Sequence, residues 1–593
     1  AQVPANTITP VTGVQSTAAV STTVPAVNLA DAKDIVVDTD LYRARFTTLG
    51  GRLKSMKLKT INTLNLPSVP ELEEELKAAK DANNYNKIAY TGYRLTLAKE
   101  LVILKKNEEE ARKAGDKVQA DQIADQIKEA QWVDLNNSPS DLPMALQLEV
   151  AGMANAELQT LYTASTDTLK LSSQLTTATL VLSGKLPNGL EVQKTITFFN
   201  NGYHLPMEIR FNNPTDKAMR YADASGSGAK LYAGSGLGDM QVFAPTSYDL
   251  PVQPSAKVNN KIKPIKISAK QMELREGGSI AWAGLETHYF FKGYVPQPNT
   301  SLVTTVGAKY SSTPGLYIPS LWMEIPSFDL PSKYESKQSF VFYAGPKQVE
   351  TLNALGVPVK QLLFPGWLES INIIILITLK WFYGLVHNYG LAIILISILL
   401  KIVTFPLTHI SYKSMRKMQL IAPEMKALQE KFKDDPARQQ KEIMGLYQKH
   451  KVNPMSGCLP LLIQMPIFIS LYQVLGKVVE LRGAPFFWWI TDLSRPDTIG
   501  HIPGLGIAIN ILPILMGVTM WVQQKMTTTP DPKSAMMSQF MTIFFIFIFW
   551  NMPSGLVLYW FITNILSIAQ QHYINKQDIP LHIHTIETKN LAK

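Results

Sequence analysis

One charged residue interrupts an apolar run and is the first candidate for chemistry. Lys401 lies in LAIILISILLKIVTFPLT (391–408), four residues after Ser397. Residues four apart share a helix face, and a lysine inside a membrane costs about 2.5–3.5 kcal/mol unless a partner or water compensates it. The pair indicates a charged, hydrated site. Two alternatives remain: a Ser–Lys hydrolase dyad, or a lysine that extends to the membrane surface, since the run ends near Thr408.

Other apolar runs also contain polar residues, which a lipid-facing helix does not need. They are Gln464 and Gln473 in 458–479, Asn510 and Thr519 in 506–524, Asn551 in 536–551, and Thr563 and Asn564 in 554–574. Single Ser or Thr residues can join helices by hydrogen bonds, but together with a lysine these residues indicate a wet cavity. The five runs contain no carboxylate, and the sequence has no HExxH, Walker A or dinucleotide motif, so we predict no catalytic residue, metal or cofactor.

The lengths of the runs predict the elements that position these residues. The five runs approach the roughly 20 residues that cross a bilayer, which predicts five spans. Residues 371–386 are apolar but contain Lys380, and we expect a helix at the interface, with a sixth span as the alternative. The 409–457 loop is rich in Lys and Arg, whereas 481–503 has two arginines opposed by two aspartates. The positive-inside rule therefore predicts a cytoplasmic 409–457 loop and C-terminus, with the N-terminal half outside.

Composition sets the domain organisation. A chain of 593 residues exceeds what one core usually serves, and its first 350 residues alternate polar and apolar residues while 371–574 is strongly apolar. The net charge of +10 is concentrated beside apolar runs, which favours a membrane surface over a specific nucleic-acid sequence as partner. A single cysteine, Cys458, excludes an intramolecular disulfide framework and a Cys-based zinc site.

The N-terminal half predicts a soluble domain behind a tether. Residues 1–32 are almost uncharged and predict a flexible linker, with a signal or membrane anchor expected upstream of Ala1. Residues 33–350 predict an antiparallel β-sandwich with a helical hairpin inserted at 70–131. In Leu190–Phe199, Val192, Ile196 and Phe198 share one face with Lys194 as the odd member.

The 409–457 loop predicts a helical hairpin with a break at Asp434-Asp435-Pro436. Its methionines are Met415, Met418, Met425 and Met444. Methionine forms adaptable apolar surface. We therefore expect them to bind apolar polypeptide or, as the alternative, to pack the hairpin against itself.

Several long motifs resemble the YidC/Oxa/Alb family of membrane protein insertases. They are NPMSGCLPLLIQMPIFISLYQVL, VELRGAPFFWWITDLS, LPILMGVTMWVQQKM and MPSGLVLYWFITNILSIAQQ. The resemblance covers 365–575 closely and the β domain more loosely, through LEVQKTITF and LETHYFFKGYVP. It implies a multi-domain protein of the Gram-negative inner membrane. Its parts are a periplasmic β-sandwich, an interfacial periplasmic helix (365–388), an insertase core of five spans (389–575), a cytoplasmic hairpin (409–457) and a cytoplasmic tail (576–593).

The resemblance also implies a mechanism and partners. Members form a hydrophilic groove, closed to the outside, whose basic residue attracts polar stretches of a substrate. The family's groove arginine falls on Lys401, which keeps the charge but lacks the planar fork. Ser397, Gln464, Tyr559 and Trp560 fall on groove or substrate-facing positions. The implied partners are nascent membrane proteins, lipid, the Sec translocon, the ribosome and signal recognition machinery; the helical insertion is not part of the family pattern. A polytopic transporter is a further alternative, weakened by the lack of inverted repeats and intramembrane carboxylates.

Overall fold

The computed structural model describes residues 29–577 apart from 63–66, 137–141, 239–251, 269, 299–302, 312–317, 357–358, 365, 451, 453–458, 503–507 and 528–531. Most of the expected linker and tail, and Cys458, lie outside these residues.

The described strands of the N-terminal half alternate with short turns. They are β1 (Asp34–Asp38), β2 (Tyr42–Thr47), β3 (Arg52–Asn62), β4 (Trp132–Asp134), β5 (Ala145–Val150), β6 (Thr163–Ala164), β7 (Thr168–Lys170), β8 (Thr177–Lys185), β9 (Glu191–Phe199), β10 (His204–Asn212), β11 (Met219–Tyr221), β12 (Ser227–Ser235), β13 (Gln253–Val258), β14 (Lys261–Pro264), β15 (Glu273–Gly277), β16 (Ile280–Glu286), β17 (Phe290–Pro296), β18 (Thr305–Tyr310), β19 (Pro319–Pro326), β20 (Phe328–Leu330) and β21 (Glu335–Pro346).

Two large sheets form a sandwich around one apolar core. The first has the order β15-β18-β19-β12-β5-β3-β2-β1-β7, with β4 on β3, and the second β14-β13-β16-β17-β21-β10-β9-β8-β6. Phe46 and Phe198 meet across the sheets with ring centroids 5.7 Å apart. The pairing is antiparallel except between β1 and β7, which are parallel. Because β7 is the last strand of the first sheet, this exception to the antiparallel prediction is confined to the edge of that sheet.

Strand β9 shows how the alternating pattern is satisfied. Val192, Lys194, Ile196 and Phe198 all face the core. The Lys194 ammonium is fully buried and lies 2.6 Å from the Glu157 carboxylate. It also donates to the carbonyl oxygens of Gly50, Gly51 and Leu146. The lysine can therefore occupy a core position because all its donors are satisfied.

Three helices separate β3 from β4, where the sequence predicts a hairpin. They are α1 (Val69–Asp81), α2 (Tyr85–Lys113) and α3 (Lys117–Gln131). Ser68 and Glu71 form a capping box at the start of α1. Buried Glu129 on α3 accepts from Arg43 and Arg45 of β2 at 2.6 and 2.5 Å. This ion cluster joins the insertion to the first sheet.

The C-terminal half is helical. Its elements are α4 (Val349–Asn353), α5 (Glu369–Val386), α6 (Tyr389–Leu420), α7 (Ala422–Lys431), α8 (Pro436–Lys449), α9 (Leu459–Lys477), α10 (Ile511–Thr527), α11 (Pro532–Phe549) and α12 (Ser554–Asn575), with short strands β22 (Thr498–His501) and β23 (Ala508–Asn510) before α10. Among the described residues, α5 and α6 are the two helices whose length and composition suffice to cross a membrane. The number of spans therefore stays a prediction.

Helix α6 differs from the sequence prediction in its length. The predicted span 391–408 continues into the first part of the 409–457 loop as one helix of 32 residues, with Pro406 inside it. At 1.5 Å per residue, α6 is about 48 Å long, which exceeds the ~30 Å of a hydrocarbon core. Its end is at Leu420, and Pro423 then occupies the first turn of α7, where a missing N–H has no cost. No loop therefore separates the predicted span from the first part of the 409–457 segment.

Candidate intramembrane groove

Helix α6 presents a polar face to the helix bundle and an apolar face outward. Ser397, Lys401, Thr404 and Thr408 follow one another at spacings of four, three and four residues, so they lie along one side of the helix. On the other side, Ile402 and Val403 are each 65% exposed. The 32-residue helix can therefore face lipid and still contribute a polar wall.

The Lys401 ammonium lies about 18 Å along α6 from its first residue, near the middle of a bilayer-sized span. It donates to Ser567 Oγ at 2.8 Å and lies 5.6 Å from the centroid of the Tyr412 ring. In the described parts of the chain, no Asp or Glu forms an ion pair with it. One hydroxyl and one ring leave the three donors of an ammonium incompletely satisfied.

Helix α12 forms the facing wall. Tyr559, Thr563 and Ser567 are spaced four residues apart and are all buried. Ser567 Oγ donates to the carbonyl of Thr563 at 2.8 Å, which leaves its lone pairs to accept from Lys401. One turn further, Gln570 Nε2 donates to Thr408 Oγ1 at 3.1 Å. These bonds join α6 to α12 along the polar face.

A small cavity of about 30 Å³ opens between these walls. Its lining consists of Ser397, Leu400, Lys401, Thr404, Thr408, Tyr412, Gln464, Ile467, Tyr559 and Thr563. A water needs about 10–15 Å³ by this measure and two or more polar partners. The cavity therefore has the volume and the partners for about two waters beside Lys401. We call it the groove.

The groove brings together five of the eight substrate residues predicted from the sequence: Ser397, Lys401, Gln464, Tyr559 and Thr563. The other three lie elsewhere. Thr519 on α10 accepts a hydrogen bond from Asn564 Nδ2 at 3.2 Å. Asn551 is exposed in the turn between α11 and α12, and Trp560 packs edge-on against Phe468 with ring centroids 4.9 Å apart.

Sequence reasoning missed Thr404, Thr408, Tyr412 and Ser567. Thr404 and Thr408 follow Lys401 on the same helix face, so the spacing of polar residues along one side of α6 was an available signal. No comparable signal identifies Ser567, which meets Lys401 across 166 residues of chain.

The groove lacks the contact that a Ser–Lys hydrolase needs. Ser397 Oγ donates to the carbonyl of Ile393, one turn earlier, at 2.6 Å. The Lys401 ammonium is bonded to Ser567 instead. A general base must hydrogen-bond to its nucleophile, so the expected pair is not arranged for hydrolysis.

The four predicted methionines divide between packing and exposure. Met415 and Met418 lie on the end of α6, Met425 on α7 and Met444 on α8. Met425 is buried with Ile421 and Leu446 where α7 meets α8, and Met444 is 47% exposed. Met415 and Met418 are half-buried, so Met444 is the most exposed of the four.

These features define a class of protein: a helical bundle, with a lysine in a small polar cavity between its helices, attached to a β-sandwich. Sequence comparison identifies the family. A profile described as "60Kd inner membrane protein" matches residues 381–580, and one described as "YidC periplasmic domain" matches residues 125–377.

Full-length relatives agree. A protein of Geotalea daltonii named "Membrane protein insertase YidC" is 34% identical over 93% of this chain and 88% of its own length. A protein of Pelobacter propionicus with the same name is 32% identical over 96% of this chain and 91% of its own length. The chain belongs to the YidC family of membrane protein insertases, inner-membrane proteins with a periplasmic domain. The family is not one of enzymes, and neither the hydrolase nor the transporter alternative is favoured.

Proposed function

We propose that the groove hydrates and attracts the polar part of a membrane protein substrate while the apolar part of the substrate enters lipid. The observation that carries this proposal is the partial satisfaction of Lys401 in a polar cavity that can hold water. Hydration and charge inside the bilayer lower the cost of moving a polar tail across it. Burial of the apolar segment in lipid then drives the step without an energy-consuming site.

The charge of Lys401 selects which tails bind. An acidic tail gains a charge-assisted hydrogen bond that a neutral tail does not. Lysine supplies a compact point charge rather than the planar fork of arginine. Arginine at this position should therefore preserve attraction.

An apolar surface next to the groove suits the substrate's membrane segment. Helix α9, which contributes Gln464, exposes Leu462 and Met465 at 59% and 42%. Ile402 of α6 is exposed beside Lys401. A substrate helix lying here would have lipid on one side and the groove on the other.

The contacts of Lys380 support an interfacial α5 and hence a core of five spans. Lys380 lies about 16 Å along α5, yet its ammonium is 3.1 Å from Glu350 of α4 and 2.8 Å from Glu480 after α9. If α5 crossed the bilayer, Lys380 near its midpoint would lie in the hydrocarbon. It could not then reach Glu350 of α4, which is attached to the periplasmic domain. With α5 at the outer surface, five spans put the C-terminus and α7–α8 in the cytoplasm, consistent with the basic loop.

The α7–α8 hairpin is suited to partners that deliver nascent chains. Basic side chains lie around its tip, where Arg438 and Lys431 contact the Phe432 ring at 5.0 and 5.6 Å, and Met444 offers an apolar contact. Basic surface attracts ribosomal RNA phosphates without reading sequence. We propose the ribosome, signal recognition machinery and the Sec translocon as partners of the intact protein.

The test is insertion of a single-spanning substrate with an acidic tail into proteoliposomes. Lys401→Ala should lower the insertion rate by about tenfold or more, since a charge-assisted hydrogen bond is lost. Lys401→Arg should stay close to wild type. Lys413→Ala is the matched control because it removes an exposed lysine from the cytoplasmic end of the same helix.

The tail provides the second comparison. With a neutral tail, the difference between wild type and Lys401→Ala should shrink. Equal insertion by wild type and Lys401→Ala for both tails would contradict the charged-groove proposal.

A further inference from the structure

The periplasmic ends of the groove helices meet in one short loop, which we call the outer loop (residues 478–502). Its 492–495 segment caps α12: the N–H groups of Ser554 and Gly555 donate to the carbonyls of Arg495 and Leu493 at 2.7 and 2.9 Å. Ser554 Oγ adds a bond to the Asp492 carbonyl at 3.0 Å. The first N–H groups of a helix have no partner within it, so the loop satisfies them for α12.

Asp497, in the same loop, caps α10, whose Thr519 accepts a hydrogen bond from Asn564 of the groove helix α12. Its Oδ2 accepts from the N–H groups of Ile511 and Leu512 at 3.0 and 2.7 Å. These are the first residues of α10. It also accepts from Trp489 Nε1 at 2.9 Å. The carboxylate is only 4% exposed, and its negative charge opposes the positive end of the α10 dipole.

The outer loop also contacts α6 and indirectly holds α11. Gly390, at the start of α6, packs so closely on Phe486 that an added Cβ would lie 2.0 Å from its ring. Asn510, just before α10, donates from Nδ2 to the carbonyl of Trp550, which follows α11, at 2.5 Å. Its Oδ1 accepts a hydrogen bond from Thr498 Oγ1 of the outer loop at 2.6 Å. All four helices are thus tied at the end next to the periplasmic domain.

In the part of the chain that the structure describes, the opposite ends of α6 and α10 are joined through side chains. Gln419 Nε2 of α6 donates to the Met526 carbonyl at 2.7 Å, and Gln523 of α10 donates to Tyr412 at 3.5 Å. Both contacts use long side chains that can change rotamer without moving a backbone. The periplasmic contacts instead involve backbone N–H groups and a buried carboxylate.

We propose that Asp497 is a positioning residue that holds α10 and α12 together at their periplasmic ends and keeps the groove closed toward the periplasm. It does not touch the substrate; it acts through the helix ends that it and its loop cap. This role rests on the proposed function, since closure matters only if the groove takes up polar segments. The asymmetry lets the groove admit a segment from the cytoplasm without leaking to the other side.

The experiment measures access to the groove from each side of the membrane. Cys458→Ser removes the chain's single cysteine, and Thr563→Cys places a thiol in the groove. An impermeant maleimide is added to spheroplasts, to reach the periplasmic side, or to inverted vesicles, to reach the cytoplasmic side. With Asp497 intact, we expect labelling mainly from the cytoplasmic side.

Asp497→Ala should increase labelling from the periplasmic side by about 5- to 30-fold, the ratio that loss of a helix cap produces. Labelling from the cytoplasmic side should not change. Asp497→Asn keeps an oxygen acceptor but loses the charge, and should give an intermediate increase. The matched control is Asp329→Ala, because Asp329 is a periplasmic-domain aspartate whose side chain is 73% exposed.

Periplasmic labelling of Asp497→Ala equal to that of the control would overturn the proposal. If Asp497→Ala does not accumulate, periplasmic labelling is measured in Asp497→Asn and Trp489→Phe instead. Unchanged labelling in both variants would overturn the proposal. Insertion by Lys401→Ala is measured separately. Normal insertion there together with increased labelling in Asp497→Ala would refute the groove function while leaving the closure intact.

Discussion

The periplasmic domain and the membrane core give their interior lysines different sets of partners. In the periplasmic domain, Lys194 contacts a carboxylate and three carbonyls. Lys292 of β17 is also fully buried and donates to Asn136 Oδ1 and the Gly236 carbonyl, each at 2.8 Å, and to the Ser235 carbonyl at 3.3 Å. Lys401 in the groove has one hydroxyl, from Ser567, and the face of a ring.

The difference separates lysines whose donors are satisfied within the protein from one whose donors are satisfied only in part. A buried polar group is tolerated when its hydrogen bonds are complete, and Lys194 and Lys292 meet that condition. Lys401 meets it only with water or an incoming acidic group. We therefore expect mutations at the three lysines or their partners to have different effects. Measuring these effects tests whether the two regions differ as described.

The largest expected effect is in the periplasmic domain. Glu157→Gln removes the charge opposite Lys194 and should lower the free energy of unfolding of this domain by about 3–5 kcal/mol, because an uncompensated cation stays buried. Urea dependence of amide exchange in β9 of the full-length protein measures it. Asp216→Asn is the control, since its ion pair with Lys333 is exposed and should change stability by about 0.5 kcal/mol at most. Equal losses in the two variants would contradict the structural role of the Lys194–Glu157 pair.

The next effect is a pH dependence. Burial lowers the pKa of Lys292 from 10.5 to about 7, opposed in part by Asp134. Between these values the unfolded chain binds the extra proton, so the free energy of unfolding should rise by about 1.4 kcal/mol per pH unit from this group. Below pH 7 both states are protonated and the contribution is constant.

Lys292→Met should remove that slope. Amide exchange in β17 from pH 6 to 10 compares the two proteins, and their difference isolates Lys292 from other titrating groups. Parallel pH profiles would show that Lys292 is not held in a low-pKa environment.

Alternation and turn residues predicted the sandwich, because a half-buried strand shows its inward face in a period of two. The same pattern marked Lys194 as an odd inward residue. It could not identify Glu157, which lies in a short 3₁₀ turn 37 residues earlier and meets Lys194 only through tertiary packing. The parallel β1–β7 pair and the third helix of the insertion also depend on contacts that local periodicity does not encode.

The sequence predicted the α6 wall of the groove better than the α12 wall. Lys401 could be predicted because a lysine within an apolar run is costly to place in a membrane and therefore needs a partner or water. Ser567 has the appearance of an ordinary helix-joining serine. Asp497 resembles any loop aspartate, and its capping of α10 becomes visible only when the loop is folded against that helix.

The most direct test of the comparison measures both the free energy of unfolding and the insertion activity of Lys401→Met. We predict that the free energy of unfolding, from amide exchange in α6 and α12 of the full-length protein in micelles, stays constant or rises by about 1 kcal/mol. The protein should lose little stability when an apolar side chain of similar length replaces an incompletely paired cation. Insertion of the acidic-tailed substrate should fall when the same variant is reconstituted into proteoliposomes. A loss of about 3–5 kcal/mol, as for Glu157→Gln, would instead make Lys401 a structural cation and contradict its role as the substrate-attracting charge.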